Sequence, residues 1–210
     1  QAVVFSTEAI LRDQGIIFNN KKIGIVGFGK IGNGIISSLR DKGAKVSVFD
    51  KKHTTLLLAL SRGYDINTKN KLMDESDIIF CSSGNLSIKG DEFRYLKNNV
   101  FVVSVTSSDD ELDLIWLKNN YNKQKISTHI DLYEKKGHNI YLLNDGNAVN
   151  FIHGAVIGDF ILLVQMEIID SVIYVNKNIQ ELKNGVQESF SDITERIADL
   201  WLKKIKGVNI

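Results

Sequence analysis

Lys22 to Asp50 reads KIGIVGFGKIGNGIISSLRDKGAKVSVFD, and this stretch decides the fold. Ile23, Ile25 and Val26 form a short run rich in β-branched residues, suited to a parallel strand buried on both faces. A glycine turn follows, then an amphipathic segment of helical length, then a second apolar run, Lys45 to Asp50, closing on a carboxylate. Each glycine has a mechanical reason. Gly27 permits the tight turn out of the strand, Gly29 keeps a Cβ out of the path of a pyrophosphate, and Gly32 lets the helix approach the sheet. Gly34 extends the pattern to GxGxxGxG. The helix N-terminus then points free N–H groups at the phosphates, so the segment is predicted to be a dinucleotide-binding βαβ unit.

Asp50 lies eighteen residues past Gly32, where a carboxylate at the end of the second strand accepts hydrogen bonds from both hydroxyls of an adenosine ribose. The same charge repels the extra phosphate of NADP, so NAD is the expected cofactor. Lys51, Lys52 and His53 follow at once. Turned inward they would neutralise a 2′-phosphate; read as a solvated loop they do nothing of the kind, and the second reading is preferred.

The rest of the composition narrows the class. A chain of 210 residues with 43% apolar and 24% charged residues suits one large globular domain, or one domain with appended helices. Net charge is +1, with lysine and arginine spread along the chain, which implies no nucleic-acid or anionic-membrane partner. The single cysteine, Cys81, sits in the apolar run DIIFCSSG and reads as inert packing in a reducing cytoplasm. The most apolar stretch, Phe160 to Val175, is broken by Gln165, Glu167 and Asp170 and is a poor membrane span. The first residue is Gln1 rather than methionine, as expected of a chain with residues upstream. No spacing suggests a metal site or a Ser-His-Asp arrangement.

Outside the opening unit, the pattern predicts a helix capped by Ser6 or Thr7 within residues 5–14. The βαβ unit itself supplies strands Lys22 to Gly27 and Lys45 to Asp50, with a helix from Ile31 to Lys42 between them. A helix is expected at Thr54 to Ser61, then short strands at Tyr64 to Asn67 and Asp77 to Ser82. Further on come a helix at Asp91 to Lys97, a strand at Val100 to Thr106, a helix at Leu112 to Lys118, and strands at Ile126 to Ile130 and Asn139 to Leu143. This alternation argues an α/β fold, a Rossmann-type doubly wound parallel sheet. Two further helices are expected, 158–182 within the first domain (1–182) and an amphipathic one in 183–210. The second carries Val186, Phe190, Ile193, Ile197, Leu200 and Ile205 near heptad spacing, which packs on its own domain or serves a subunit interface.

In this order the elements resemble the NAD-binding domain of the S-adenosylhomocysteine hydrolase (adenosylhomocysteinase) family, from about Ser6 to Glu167. STEAILRD resembles the helix entering that domain, and GFGKIGNG its GYGxVGxG turn. AKVSVFD ends at the family's ribose-binding glutamate, here Asp50. CSSGN resembles its TTGN loop, SSDDELDLIWL its GHFDxEIDxxxL stretch and IYLLNDGNAVN its IxLLAEGRLVN. The resemblance implies cofactor contacts from Gly27, Phe28, Gly29, Lys30, Ile31 and Gly32 in the turn, and from Asp50, Lys51 and Thr55 beyond the second strand. It adds Ser83, Gly84 and Asn85, then Val105, Thr106 and Ser107, and it places Asn150 on the nicotinamide carboxamide, where a side-chain amide offers both a donor and an acceptor.

The family's reaction oxidises a ribose hydroxyl with bound NAD and needs a general base in a closed site. Here the chain departs from the pattern. Ser107 stands where GHFD has its histidine, and the family's GHPSFVMS loop is reduced to HGAVIG. Most of the family's substrate domain has no counterpart in these residues, and its C-terminal Lys and Tyr segment is not recognisable after Leu182. Of the four histidines, His153 is the candidate nearest the nicotinamide, with capping or packing the plainer role; charge at a helix N-terminus is sufficient to explain most of the acidic run Asp109, Asp110, Glu111 and Asp113. The expectation is an NAD-binding protein, part of or diverged from an NAD-dependent enzyme, that does not hydrolyse S-adenosylhomocysteine alone. Whether it performs oxidoreductase or hydrolase chemistry is left open, as is assembly as a homo-oligomer or with a missing substrate domain. Two alternatives stand beside it: a 2-hydroxyacid or dipicolinate-synthase-like NAD(P)-dependent dehydrogenase, and a non-enzymatic module whose helices report NAD occupancy.

Overall fold

The computed structural model describes residues 1–106, 111–153, 158–186 and 191–207. Its chain divides into two compact units, Gln1–Ala155 and Val156–Ile210. In chain order the first unit contains α1 (Ala2–Arg12), β1 (Lys22–Val26), α2 (Lys30–Leu39), β2 (Lys45–Phe49) and α3 (His53–Ser61). It continues through β3 (Asp65–Ile66), α4 (Lys69–Glu75), β4 (Ile78–Cys81), β5 (Val100–Ser104) and a helix at Leu114–Asn120, to β6 (Asn122–Ser127), β7 (Ile130–Lys135) and β8 (His138–Leu143).

The eight strands form one sheet in the order β3-β2-β1-β4-β5-β8-β7-β6. From β3 to β8 every pairing is parallel, and β7 and β6 complete the edge antiparallel. The predicted doubly wound α/β sheet is therefore present. Its central strands alternate side chains between two cores. Ile23, Ile25, Ile78, Phe80 and Val103 join a cluster with Val4, Ile10 and Leu11 of α1 and Ile35, Ile36 and Leu39 of α2. Val26, Ile79, Cys81, Val100 and Val102 join another with Leu72 and Met73 of α4 and Leu117. Both faces are covered, which is why these strands read as continuous apolar runs.

Several boundaries differ from the sequence reading. The expected strand Ile126 to Ile130 straddles a turn: β6 ends at Ser127, β7 begins at Ile130, and β7 itself was missed. With β6 largely exposed at the sheet edge, its lysine-rich sequence carries too weak an alternation to mark its ends. Helix α1 begins at Ala2, so Ser6 and Thr7 are buried helix residues rather than caps, and the Thr7 hydroxyl donates to the Val3 carbonyl at 2.8 Å. Asp91 to Lys97 is a 3-10 helix over Gly90–Tyr95.

Strand β7, held between β8 and the edge strand β6, carries a buried carboxylate, Asp131, with Lys123 Nζ at 3.1 Å and Lys125 Nζ at 3.4 Å. Lys123 also reaches Asp145 at 2.6 Å, and its ammonium is raised, chiefly by that bond. Asp131 first, and Lys123 next, hold the Asp145 carboxyl down at about 2 against an ordinary 3.8. A depressed carboxylate stabilises the fold fully above its unfolded value and loses that effect as pH falls through its folded one. The Asp145 contribution is thus complete above about pH 4 and disappears towards pH 2; for a half-exposed side chain it amounts to less than about 1 kcal/mol. Asp145→Asn suits the positive φ of 54°, which asparagine tolerates. Urea titrations are expected to show the variant losing less stability than wild type between pH 4 and 2; parallel curves would refute the assignment.

In the second unit the helix Ile161–Asn178 follows a 3-10 turn at Gly158–Phe160, and a second helix covers Ser191–Trp201 before a π-turn at Leu202–Lys206. The segment 158–182 therefore groups with the last helix, not with 1–155. Ile193, Ile197 and Trp201 are buried; Trp201 stacks on Phe160 at 4.8 Å between centroids and donates to the Asp159 carbonyl at 3.0 Å. Of the expected stripe, Val186, Leu200 and Ile205 are exposed and Phe190 lies outside the described residues. Among the described residues no helix is long and apolar enough to cross a membrane.

Candidate functional site

Parallel strands deliver their carboxyl ends to one edge of the sheet. Gly27, Asp50, Ser82 and Val105 follow the last residues of β1, β2, β4 and β5 there. The chain leaves β1 towards β2 on one side and later returns to β4 on the other, and the crevice at such a switch point is where doubly wound sheets bind ligands. A cavity of about 350 Å³ occupies it, lined by Val26 to Gly29, Phe49 to Lys52, Thr55, Lys69, Ser82, Ser83 and Asn85 to Ser87.

The glycine turn has the geometry its sequence requires. Gly27 has φ 98°, and a Cβ there would lie 2.7 Å from the Ser82 and Ser83 backbone. A Cβ on Gly32 would meet the Gly27 carbonyl oxygen at 2.0 Å, whereas one on Gly29 would enter open space. Gly29 is the N-cap of α2 and offers no side-chain cap, so the first N–H groups of the helix stay free for an anion. Lys30 and Ile31 are exposed on that first turn and Phe28 is buried beneath it.

Asp50 has a second task that its position alone did not show. Its Oδ2 accepts the Phe28 N–H at 2.8 Å and its Oδ1 the Lys52 N–H at 2.8 Å, so the carboxylate clamps the glycine turn to the end of β2. Each oxygen keeps a further lone pair for a ribose hydroxyl. Lys51 and Thr55 line the same cavity, and Lys51, Lys52 and His53 are exposed. Lys69 and Ser87 were missed by sequence reasoning; Lys69 is already paired with Glu92 at 2.6 Å.

The loop after β4 is fastened from both sides. Ser82 Oγ donates to the Gly27 carbonyl at 2.7 Å. Behind the loop, Glu111 is fully buried and accepts from Gly84 N–H at 2.6 Å, Ser83 Oγ at 2.9 Å, Thr106 Oγ1 at 3.0 Å and Ser87 Oγ. Charge at a helix N-terminus therefore does not explain Glu111. Asp113 does cap, accepting the Trp116 N–H at 3.0 Å, while Ser107, Asp109 and Asp110 lie outside the described residues. Cys81 is buried beside Glu111; burial first, and that carboxylate next, push its thiol up, in keeping with inert packing.

Beyond β8, Asn150 carries a buried Oδ1 with no hydrogen-bond partner, an acceptor in want of a donor. His153 is exposed, edge-on to Phe5 at 6.1 Å and 6.3 Å from the His129 ring, a neighbour that linear order did not suggest. His138 is a packing residue, bonded to Tyr121 at 3.0 Å and the Leu96 carbonyl at 2.7 Å. No arginine or histidine lines the cavity, and no group of three metal-ligating side chains occurs among the described residues.

A family model described as S-adenosyl-L-homocysteine hydrolase, NAD binding domain, matches residues 5–156. An adenosylhomocysteinase of Sulfolobus acidocaldarius is 29% identical over 97% of this chain and 50% of its own length, so the chain spans about half of that relative. A dipicolinate synthase chain of Bacillus halodurans superposes with a TM-score of 0.48 at 14% identity, over 56% of this chain and 43% of that one. For Salmonella D-lactate dehydrogenase the TM-score is 0.43 at 21% identity, over 56% and 42%.

Proposed function

Because the chain belongs to the family of S-adenosyl-L-homocysteine hydrolase NAD-binding domains, we propose that it holds NAD across the β1–β4 crevice, as part of, or a relative diverged from, an NAD-dependent enzyme. The observation that carries the site is the pairing of an open position at Gly29 with an uncapped helix N-terminus. In this reading the α2 amides and Gly29 take the pyrophosphate, and Asp50 takes the adenosine ribose. Ser83, Gly84, Asn85, Val105 and Thr106 flank the nicotinamide half, and the orphaned Asn150 Oδ1 accepts from the carboxamide NH₂. Bound NAD supplies a hydride acceptor; the chain's own residues bind and orient it.

Catalysis is less provided for. The resemblance puts Ser107 where the family has a histidine, and His153 is exposed, so these residues alone are proposed not to hydrolyse S-adenosylhomocysteine. A substrate-binding segment or a second copy of the chain would complete the site. The test is calorimetric: wild type is expected to bind NAD, and Asp50→Ala to weaken binding by about 1 to 3 kcal/mol through lost charge-assisted hydrogen bonds and a loosened turn. Equal affinities would remove Asp50 from the site, and failure of wild type to bind NAD would refute the proposal.

A further inference from the structure

Along the helix Ile161–Asn178 and its C-cap Ile179 one set of residues recurs at alternating spacings of four and three: Ile161, Gln165, Ile168, Val172, Val175 and Ile179. That alternation is the seam by which one helix packs along another in a coiled coil. The last helix leaves it open, taking a different face through Thr194, which donates to Glu167 at 2.8 Å, and Arg196, which pairs with Asp170. Ile168, Val172 and Ile179 are 58, 63 and 62% exposed, and the exposed Val164 and Ile169 widen the stripe on either side. Its apolar side chains present on the order of 700 Å² per copy, close to the roughly 800 Å² that each partner buries in a stable interface. The three charged residues of this helix, Glu167, Asp170 and Lys177, all lie off the seam and its flanks, so nothing repels an identical stripe. Gln165 sets the direction. In a parallel, in-register pair it meets its own counterpart, and each amide gives the other a donor and an acceptor, whereas antiparallel pairing sets it against Val175 with no polar mate. We propose that the chain self-associates through this stripe, the helix Ile161–Asn178 of one copy lying parallel and in register against that of a second copy.

Light scattering on the eluting full chain reads this out without any cofactor, so assembly and NAD binding stand or fall separately. At about 50 μM, above the micromolar Kd at the weak end for interfaces of this size, wild type is expected to show at least twice the 23.6 kDa of one chain. The double variant Ile168→Glu, Val172→Glu is expected to show the mass of one chain. Both side chains are exposed within a single copy and glutamate is a good helix former, so circular dichroism should match wild type. A wild type that elutes as one chain overturns the proposal, as does an assembly that the double variant leaves intact. If the double variant unfolds, Gln165→Cys decides. Cys81 is buried and takes no part, so under mild oxidation the new thiol should join two copies in a disulfide on a non-reducing gel. A Gln165→Cys protein that stays uncrosslinked refutes the in-register pairing and the proposal with it.

Discussion

A Gly29→Val protein is expected to fold like wild type and to bind no measurable NAD. Gly29 has φ −75° and ψ −161°, extended backbone that valine adopts readily, and a Cβ there meets nothing within 4 Å. The folded state therefore loses nothing, and thermal melting should move by no more than about 2 °C, a shift of under 1 kcal/mol for a domain of this size. The isopropyl group instead enters the cavity where the pyrophosphate must approach the backbone. Loss of those contacts together with a steric clash corresponds to at least about 4 kcal/mol, roughly a thousandfold in affinity. Calorimetry showing wild-type affinity in a well-folded variant would mean that the turn is not the phosphate cradle.

Gly32→Ala, three residues further on, is expected to do the reverse and damage the fold first. Its added methyl would sit 2.0 Å from the Gly27 carbonyl and 3.0 Å from Ser82 Oγ. A carbonyl oxygen in a tight turn cannot rotate aside as a side chain can, so α2 must lift from the sheet or the turn must open. Overpacking of this kind costs about 3 kcal/mol or more, which lowers the melting temperature by roughly 6 to 12 °C. NAD binding should fall with it, because Gly27 and the α2 amides move together. A variant that melts with wild type would show that the helix is not seated as described. Two glycines of one motif thus separate into a ligand position and a packing position, and the pair of measurements distinguishes them.

The sequence was enough to determine the βαβ unit, the parallel core and the glycine turn between β1 and α2. These depend on neighbours: the spacing of Gly27, Gly29 and Gly32, the apolar runs of β1, β4 and β5, and a carboxylate closing β2. Each signal is written within one element and survives any reasonable packing of the rest. Even the resemblance on short segments reached the family whose model matches residues 5–156.

Only the tertiary structure decided what those residues do to one another. Asp50 clamps Phe28 across 22 positions of chain, and Glu111 gathers donors 24 to 28 positions before it. His129 meets His153 because the β6–β7 turn and the segment after β8 share one edge of the sheet. The bounds of β6 escaped because its residues are largely exposed, leaving no buried face to impose a period, while β7 buries a carboxylate, Asp131, between Ile130 and Tyr133, which hides its apolar face from a linear reading. A linear reading sees the charge of Glu111 but not its burial, and burial is what turns a helix-end charge into an anchor for the loop after β4.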